Sequence, residues 1–140
     1  SVASVALVGV GAALPTAPPP AAAEAADTVD RTAATAHQAT AQQPLDARSI
    51  RLTPRGIGLR NDAGTTHATF AFGPVVPAVG SAALTAVLHG APPSSRFDSG
   101  STLCAAATSA RQRSSRWRPV DGPLLVRHVV WEGCDVTLAG

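Results

Sequence analysis

From residue 46 onward, short runs of alternating apolar and polar side chains are separated by turn-forming residues, a texture that predicts strands. Residues 49–53 and 56–60 flank Pro54-Arg55-Gly56, and Asn61-Asp62-Ala63-Gly64 supplies a second turn. Residues 65–72 alternate, placing Ala68, Phe70 and Phe72 on one face and His67, Thr69 and Ala71 on the other. After breaks at Gly73-Pro74 and at residues 77–80, Ala82, Leu84, Ala86 and Leu88 form the inward face of a further predicted strand. A Gly90 to Pro93 turn follows, then a return arm ending on Asp98-Ser99-Gly100, then another apolar strand beginning at Thr102. Residues 124–131 read as one more strand, and Trp131 within it as core. Short strands at this spacing predict an all-β barrel or sandwich.

The first 44 residues have a different texture. Residues 2–14 are an apolar run, too short to span a bilayer, so no membrane span is expected. The run fits the hydrophobic region of a secretory signal, with Ala23-Glu24-Ala25 as a small-x-small cleavage site, and equally a low-complexity tail. Residues 15–44 contain Pro18-Pro19-Pro20 followed by alanine, threonine and glutamine without a sustained apolar stripe. They read as a disordered linker, with residues 21–26 transiently helical, because too little surface is available to offset the entropy of ordering. The expected organisation is a tail and linker over 1–44 and a folded domain over 45–140.

Composition refines this picture. Apolar residues make up 45% of the chain, enough for a core, but much of that share is alanine, which makes the core thin. All 11 cationic side chains are arginine, a bias that dilutes arginine as a functional signal. Residues 46–140 carry ten arginines against six acids, about +4, which tolerates a polyanionic partner without demanding one. Cys104 and Cys134 fit either one disulfide in an oxidising compartment or two buried thiols in a reducing one.

The candidate chemistry begins at Asp98-Ser99-Gly100-Ser101, preceded by Gly90 eight residues before the aspartate and followed by Thr102-Leu103-Cys104-Ala105-Ala106. This stretch resembles the active-site turn of retropepsins, the single-domain aspartic proteases of retroviruses and retrotransposons. Ser94, Ser95 and Arg96 depart from the family pattern, which is apolar or alternating there. Arg116-Trp117-Arg118-Pro119 together with Gly122 to Arg127 falls where the family places its flap hairpin. Gly133-Cys134-Asp135-Val136-Thr137-Leu138-Ala139 is similar to the segment that braces the active-site turn, with Ala139 in place of a glycine. No C-terminal helix or final strand follows, so the resemblance is to a partial or truncated domain.

The resemblance implies a small closed barrel-like aspartic protease half, acting as a homodimer on extended peptide or polyprotein substrates, without a cofactor, in an intracellular setting. Peptide hydrolysis by carboxylates needs one ionised group to activate water and one protonated group to polarise the scissile carbonyl, so Asp98 from each subunit would meet at a two-fold axis. Ser99 would hydrogen-bond across that axis, Gly100 would let the turn approach it, and Ser101 would help fix the carboxylate. The competing reading is a secreted, non-catalytic β-sandwich with one disulfide, exported if residues 2–14 are the remnant of a signal.

Other constellations are weaker. His67 and His89 fall on polar strand faces, and in a strand His128 and Glu132 stand too far apart to chelate one ion, so no metal site is expected. Serine, histidine and aspartate are present, but no glycine pattern marks a nucleophile elbow. Arg111, Arg113, Arg116 and Arg118 surround Trp117 and suggest polyanion contact, with the indole as a stacking surface; a solvated loop explains them equally.

Overall fold

The computed structural model describes residues 19–140. The apolar run at 2–14 lies outside the described residues. The described residues build two four-stranded sheets and three α-helices, so this part is β-rich but not all-β, and neither sheet closes into a barrel.

The first described helix, α1 (Ala22–Ala33), and the strand β1 (Ala39–Gln43) lie in the tract expected to be a linker. The folded unit therefore starts well before residue 45. The helix buries Ala22, Ala25, Ala26 and Val29, the i, i+3, i+4, i+7 stripe of one helical face, together with Thr28 and Thr32. Such a stripe of small side chains has little apolar area per residue, and its helical period is easily missed. Hydrogen bonds then fix it: Thr28 Oγ1 donates to Gln43 Oε1 at 2.6 Å, and Asp30 Oδ1 accepts from the amides of Ala71 and Phe72 at 2.9 and 3.2 Å.

The next three strands form where the alternation predicts them: β2 (Ser49–Thr53), β3 (Gly56–Asn61) and β4 (Gly64–Thr69) are consecutive antiparallel hairpins. Thr53 Oγ1 accepts the Gly56 amide at 2.9 Å in the first turn, and Asn61 Oδ1 accepts the Ala63 amide at 2.8 Å in the second. Inward residues Ile50, Leu52, Ile57 and Leu59 are buried. Phe72 lies beyond the end of β4 and is exposed, not inward as the alternation suggested.

After β5 (Val76–Pro77), residues expected as a strand form helix α2 (Ala82–Leu88), capped by Ser81, whose hydroxyl accepts the Leu84 amide at 3.2 Å. Its buried residues are Leu84, Val87 and Leu88, at helical spacing; the alternating alanines that suggested a strand are too small to decide the period. A 3-10 turn (Pro93–Ser95) leads to α3 (Gly100–Gln112), again where a strand was expected. Leu103, Ala107 and Ala110 face the core from α3, and a capping box at Ser99 and Thr102 starts it.

Strands β6 (Arg118–Pro119), β7 (Leu124–Trp131) and β8 (Cys134–Ala139) complete the sheets, in the orders β1-β7-β8-β5 and β4-β3-β2-β6. The flap hairpin is not formed: β6 pairs with β2 in one sheet, whereas β7 pairs with β1 and β8 in the other. The first sheet is a central layer. Leu124, Val126 and Ala139 on one face join α1 and the inner face of the second sheet, while Val129, Cys134, Val136 and Leu138 on the other pack against α2 and α3. Trp131 is partly buried against this second core.

Candidate functional site

Asp98-Ser99-Gly100-Ser101 is a helix N-terminus, not a turn between strands. Asp98 is exposed and Ser99 caps α3, its hydroxyl accepting the Thr102 amide at 3.3 Å. Gly100 is buried against the β7–β8 turn, and a Cβ there would lie 2.2 Å from the carbonyl oxygen of Glu132. The Gly100 amide donates to Glu132 Oε1 at 3.2 Å, which places a carboxylate at the positive end of the helix. Ser101 points to solvent. The glycine is thus accounted for by close packing and the serine by capping.

The structure does bring the Gly133–Ala139 region beside this motif. One turn into α3, Cys104 is bonded to Cys134 at the start of β8, closing a separation of 30 residues. Helix start, hairpin turn and disulfide form one junction.

A different group of residues converges on the outer face of the second sheet. Register and alternation put three cross-strand rows there: Ser49, Arg60 and Thr65; Arg51, Gly58 and His67; Thr53, Gly56 and Thr69. No carboxylate belongs to these rows. Gly58 has no side chain, and the space above it is taken by Trp117, whose ring comes within 3.0 Å of where a Cβ would stand. The Arg60 guanidinium lies 4.2 Å from the Trp117 ring centroid, and His67 meets the indole edge-on at 6.2 Å. Arg51 Nε donates to Ser115 Oγ at 3.0 Å, tying the loop before Trp117 to the face. Beside the indole, a depression of about 570 Å³ is floored by Gly56 and Gly58 and rimmed by Arg51, Arg55 and His67.

Of the four arginines grouped with Trp117 by sequence, only Arg116 remains exposed beside it with no partner among the described residues. Arg111 bonds Thr108 within α3, Arg113 donates to the Gly80 carbonyl at 3.2 Å, and Arg118 falls on the inner face opposite Ile50. Arg51, Arg60 and His67 are close to Trp117 only through strand pairing. Their outward positions in the alternating runs were the available signal.

The histidines do not form a metal centre, and no cluster of three or more potential ligands occurs among the described residues. His128 is buried: its Nδ1 faces the His37 carbonyl at 2.8 Å and the Thr35 hydroxyl at 3.1 Å, and its Nε2 faces Asp135. Although this sequence of groups has the composition of a hydrolytic triad, the Thr35 hydroxyl also contacts the carbonyls of Thr32 and His37, at 2.8 and 2.9 Å. The group ties the α1–β1 connection to the central sheet. His89 is exposed at the end of α2.

No helix among the described residues is long and apolar enough to cross a membrane. A model of a family of unknown function (DUF7283) matches residues 1–129. No curated protein and no solved structure matches the chain.

Proposed function

The chain belongs to the family of unknown function DUF7283, and we propose that it is a non-catalytic binding module of an oxidising compartment that holds an acidic polymer against the outer face of its second sheet. The observation that carries this reading is Trp117, held over Gly58 between Arg60 and His67 on a sheet face whose rows contain no carboxylate. Guanidinium groups pair with carboxylate or phosphate in a planar fork, and an indole face adds a stacking surface for a ring of the polymer. The Cys104–Cys134 bridge supports the compartment, since such bridges persist where thiols are not kept reduced. Asp98, exposed at a helix start whose serine and glycine serve capping and packing, gives the endopeptidase reading no comparable support.

Binding to immobilised polygalacturonate and to long-chain polyphosphate, with neutral dextran as control, tests the reading. Wild type binds at least one of the two polyanions in low salt, and binding falls steeply as ionic strength rises. Trp117→Ala and Arg60→Ala each weaken it about tenfold, while Arg96→Ala, at an exposed arginine that ends the 3-10 turn before α3 and belongs to none of the three rows, leaves it unchanged. Equal losses in all three variants would mean that net charge alone is responsible and would overturn the proposal, as would absence of binding to both polymers.

A further inference from the structure

A second site lies on the opposite side of the same sheet. The turn at residues 120–123, the inner face of β2 and the end of α2 enclose a cavity of about 350 Å³. Its walls are mainly apolar, supplied by Leu45, Ile50, Leu88, Val120 and Leu124; the Arg118 guanidinium is set among them, and the exposed His89 lies at the end of α2 on the same lining. Arg118 is there because it pairs directly with Ile50 across β6 and β2, and directly paired residues of antiparallel strands point to the same face.

The guanidinium is partly buried yet makes no hydrogen bond or ion pair among the described residues. The other arginines of intermediate burial, Arg111 and Arg127, each have oxygen partners. Burial lowers the pKa of Arg118, the direction expected of a cation that has lost water without gaining a counterion. Placing an unpaired cation against apolar walls is unfavourable unless an anion completes it.

We infer that this cavity binds a small amphipathic monocarboxylate, with its hydrocarbon body against the apolar walls and its carboxylate on the Arg118 guanidinium. The volume is near the lower end for small-molecule sites, which suits a compact ligand with one charged head rather than a polymer. Asp121 also lines the cavity and is exposed, without an ion pair to Arg118. Its charge disfavours a second negative charge on the ligand, so a carboxylate is preferred over a phosphate dianion. The site is independent of the polymer face, because Arg60, His67 and Trp117 do not line it.

The test is isothermal titration of the disulfide-intact full chain with decanoate below its micellar concentration. Decanol supplies the body without the charge, acetate the charge without the body, and decyl phosphate a head of higher charge. Decanoate is expected to bind one per chain, at least tenfold tighter than each of the other three. Arg118→Met is expected to lose at least tenfold in decanoate affinity with an unchanged circular dichroism spectrum, and Asp121→Asn to gain severalfold. Where the methionine variant does not fold, Arg118→Gln serves in its place with the same expected loss. Decanol binding as tightly as decanoate, full affinity in the arginine variants, or no decanoate binding would each overturn the inference.

Discussion

Replacing Gly100 with alanine separates local helix preference from tertiary packing, because the two act in opposite directions. In an exposed helix, glycine to alanine stabilises by roughly 0.5–1 kcal/mol, since glycine loses more backbone freedom on folding. At this position the new Cβ would stand 2.2 Å from the Glu132 carbonyl oxygen, 2.7 Å from that of Trp131 and 2.8 Å from the Glu132 carbonyl carbon. Ordinary contact begins at 3.4 Å, so the helix start must retreat by about 1 Å from three backbone atoms that have no rotamer to change. The Cys104–Cys134 bridge, one turn along, opposes the retreat. Overpacking of this kind costs about 1–3 kcal/mol, and the net result expected is a loss of about 2 kcal/mol, or roughly 8 °C in Tm. Urea denaturation of the oxidised protein measures it, with the midpoint falling and the slope unchanged. Ser101→Ala, at the next and exposed position, should stay within about 0.5 kcal/mol of wild type. A Gly100→Ala protein as stable as wild type, or more so, would show that the helix is not docked on the hairpin in this way.

Three further predictions concern the disulfide, the start of α3 and His128. Cys104→Ala with Cys134→Ala should cost about 3.6 kcal/mol in the loop-entropy model, and mass spectrometry of the native protein should show the bridge; two free thiols in protein purified without reductant would refute it. Ser99→Ala should lose about 1 kcal/mol through its cap, whereas Asp98→Asn should change stability by less than about 0.5 kcal/mol; wild-type cleavage of a peptide library that Asp98→Asn abolishes would revive the endopeptidase reading. His128→Leu should cost about 2–3 kcal/mol by removing the buried ring that joins the His37 carbonyl and the Thr35 hydroxyl to Asp135, with hydrogen exchange rising first at residues 34–38; unchanged exchange there would mean that His128 does not hold the α1–β1 connection.

The three hairpin strands from Ser49 to Thr69 were legible because two sources agreed: large β-branched or leucine side chains at alternate positions, and turns with a named donor and acceptor. The helices were not, for a reason rooted in alanine. In α2 and α3 alanine occupies so many positions that the apolar pattern fits a period of two as well as 3.6, and only Leu84, Val87, Leu88 and Leu103 carry enough area to distinguish them. In α1 the same residue hid a helix altogether, since a stripe of alanine and threonine does not look apolar. Cap chemistry was the signal left unused: Ser81 three residues before Leu84, and Ser99 three before Thr102, mark helix starts. The Asp-Ser-Gly motif was read as an active-site turn because a helix start and a tight turn recruit the same residues. As for the basic face, Arg51, Arg60 and His67 were visible individually, but their meeting with Trp117, fifty or more residues away, depends on strand register and on a loop path that no local pattern encodes.

The β7–β8 hairpin supplies side chains to both cores, Leu124 and Val126 to one, Val136 and Leu138 to the other. β8 follows every other described element along the chain, so the core under α2 and α3 lacks Cys134, Val136 and Leu138 until it is made, and the core under α1 lacks Ala139. Up to that moment β5 is without its ladder partner among the described residues, and Cys104 without its mate. The hairpins of the second sheet pair locally, whereas the central sheet joins strands up to about ninety residues apart and gates completion of both cores, the slow course expected of non-local pairing.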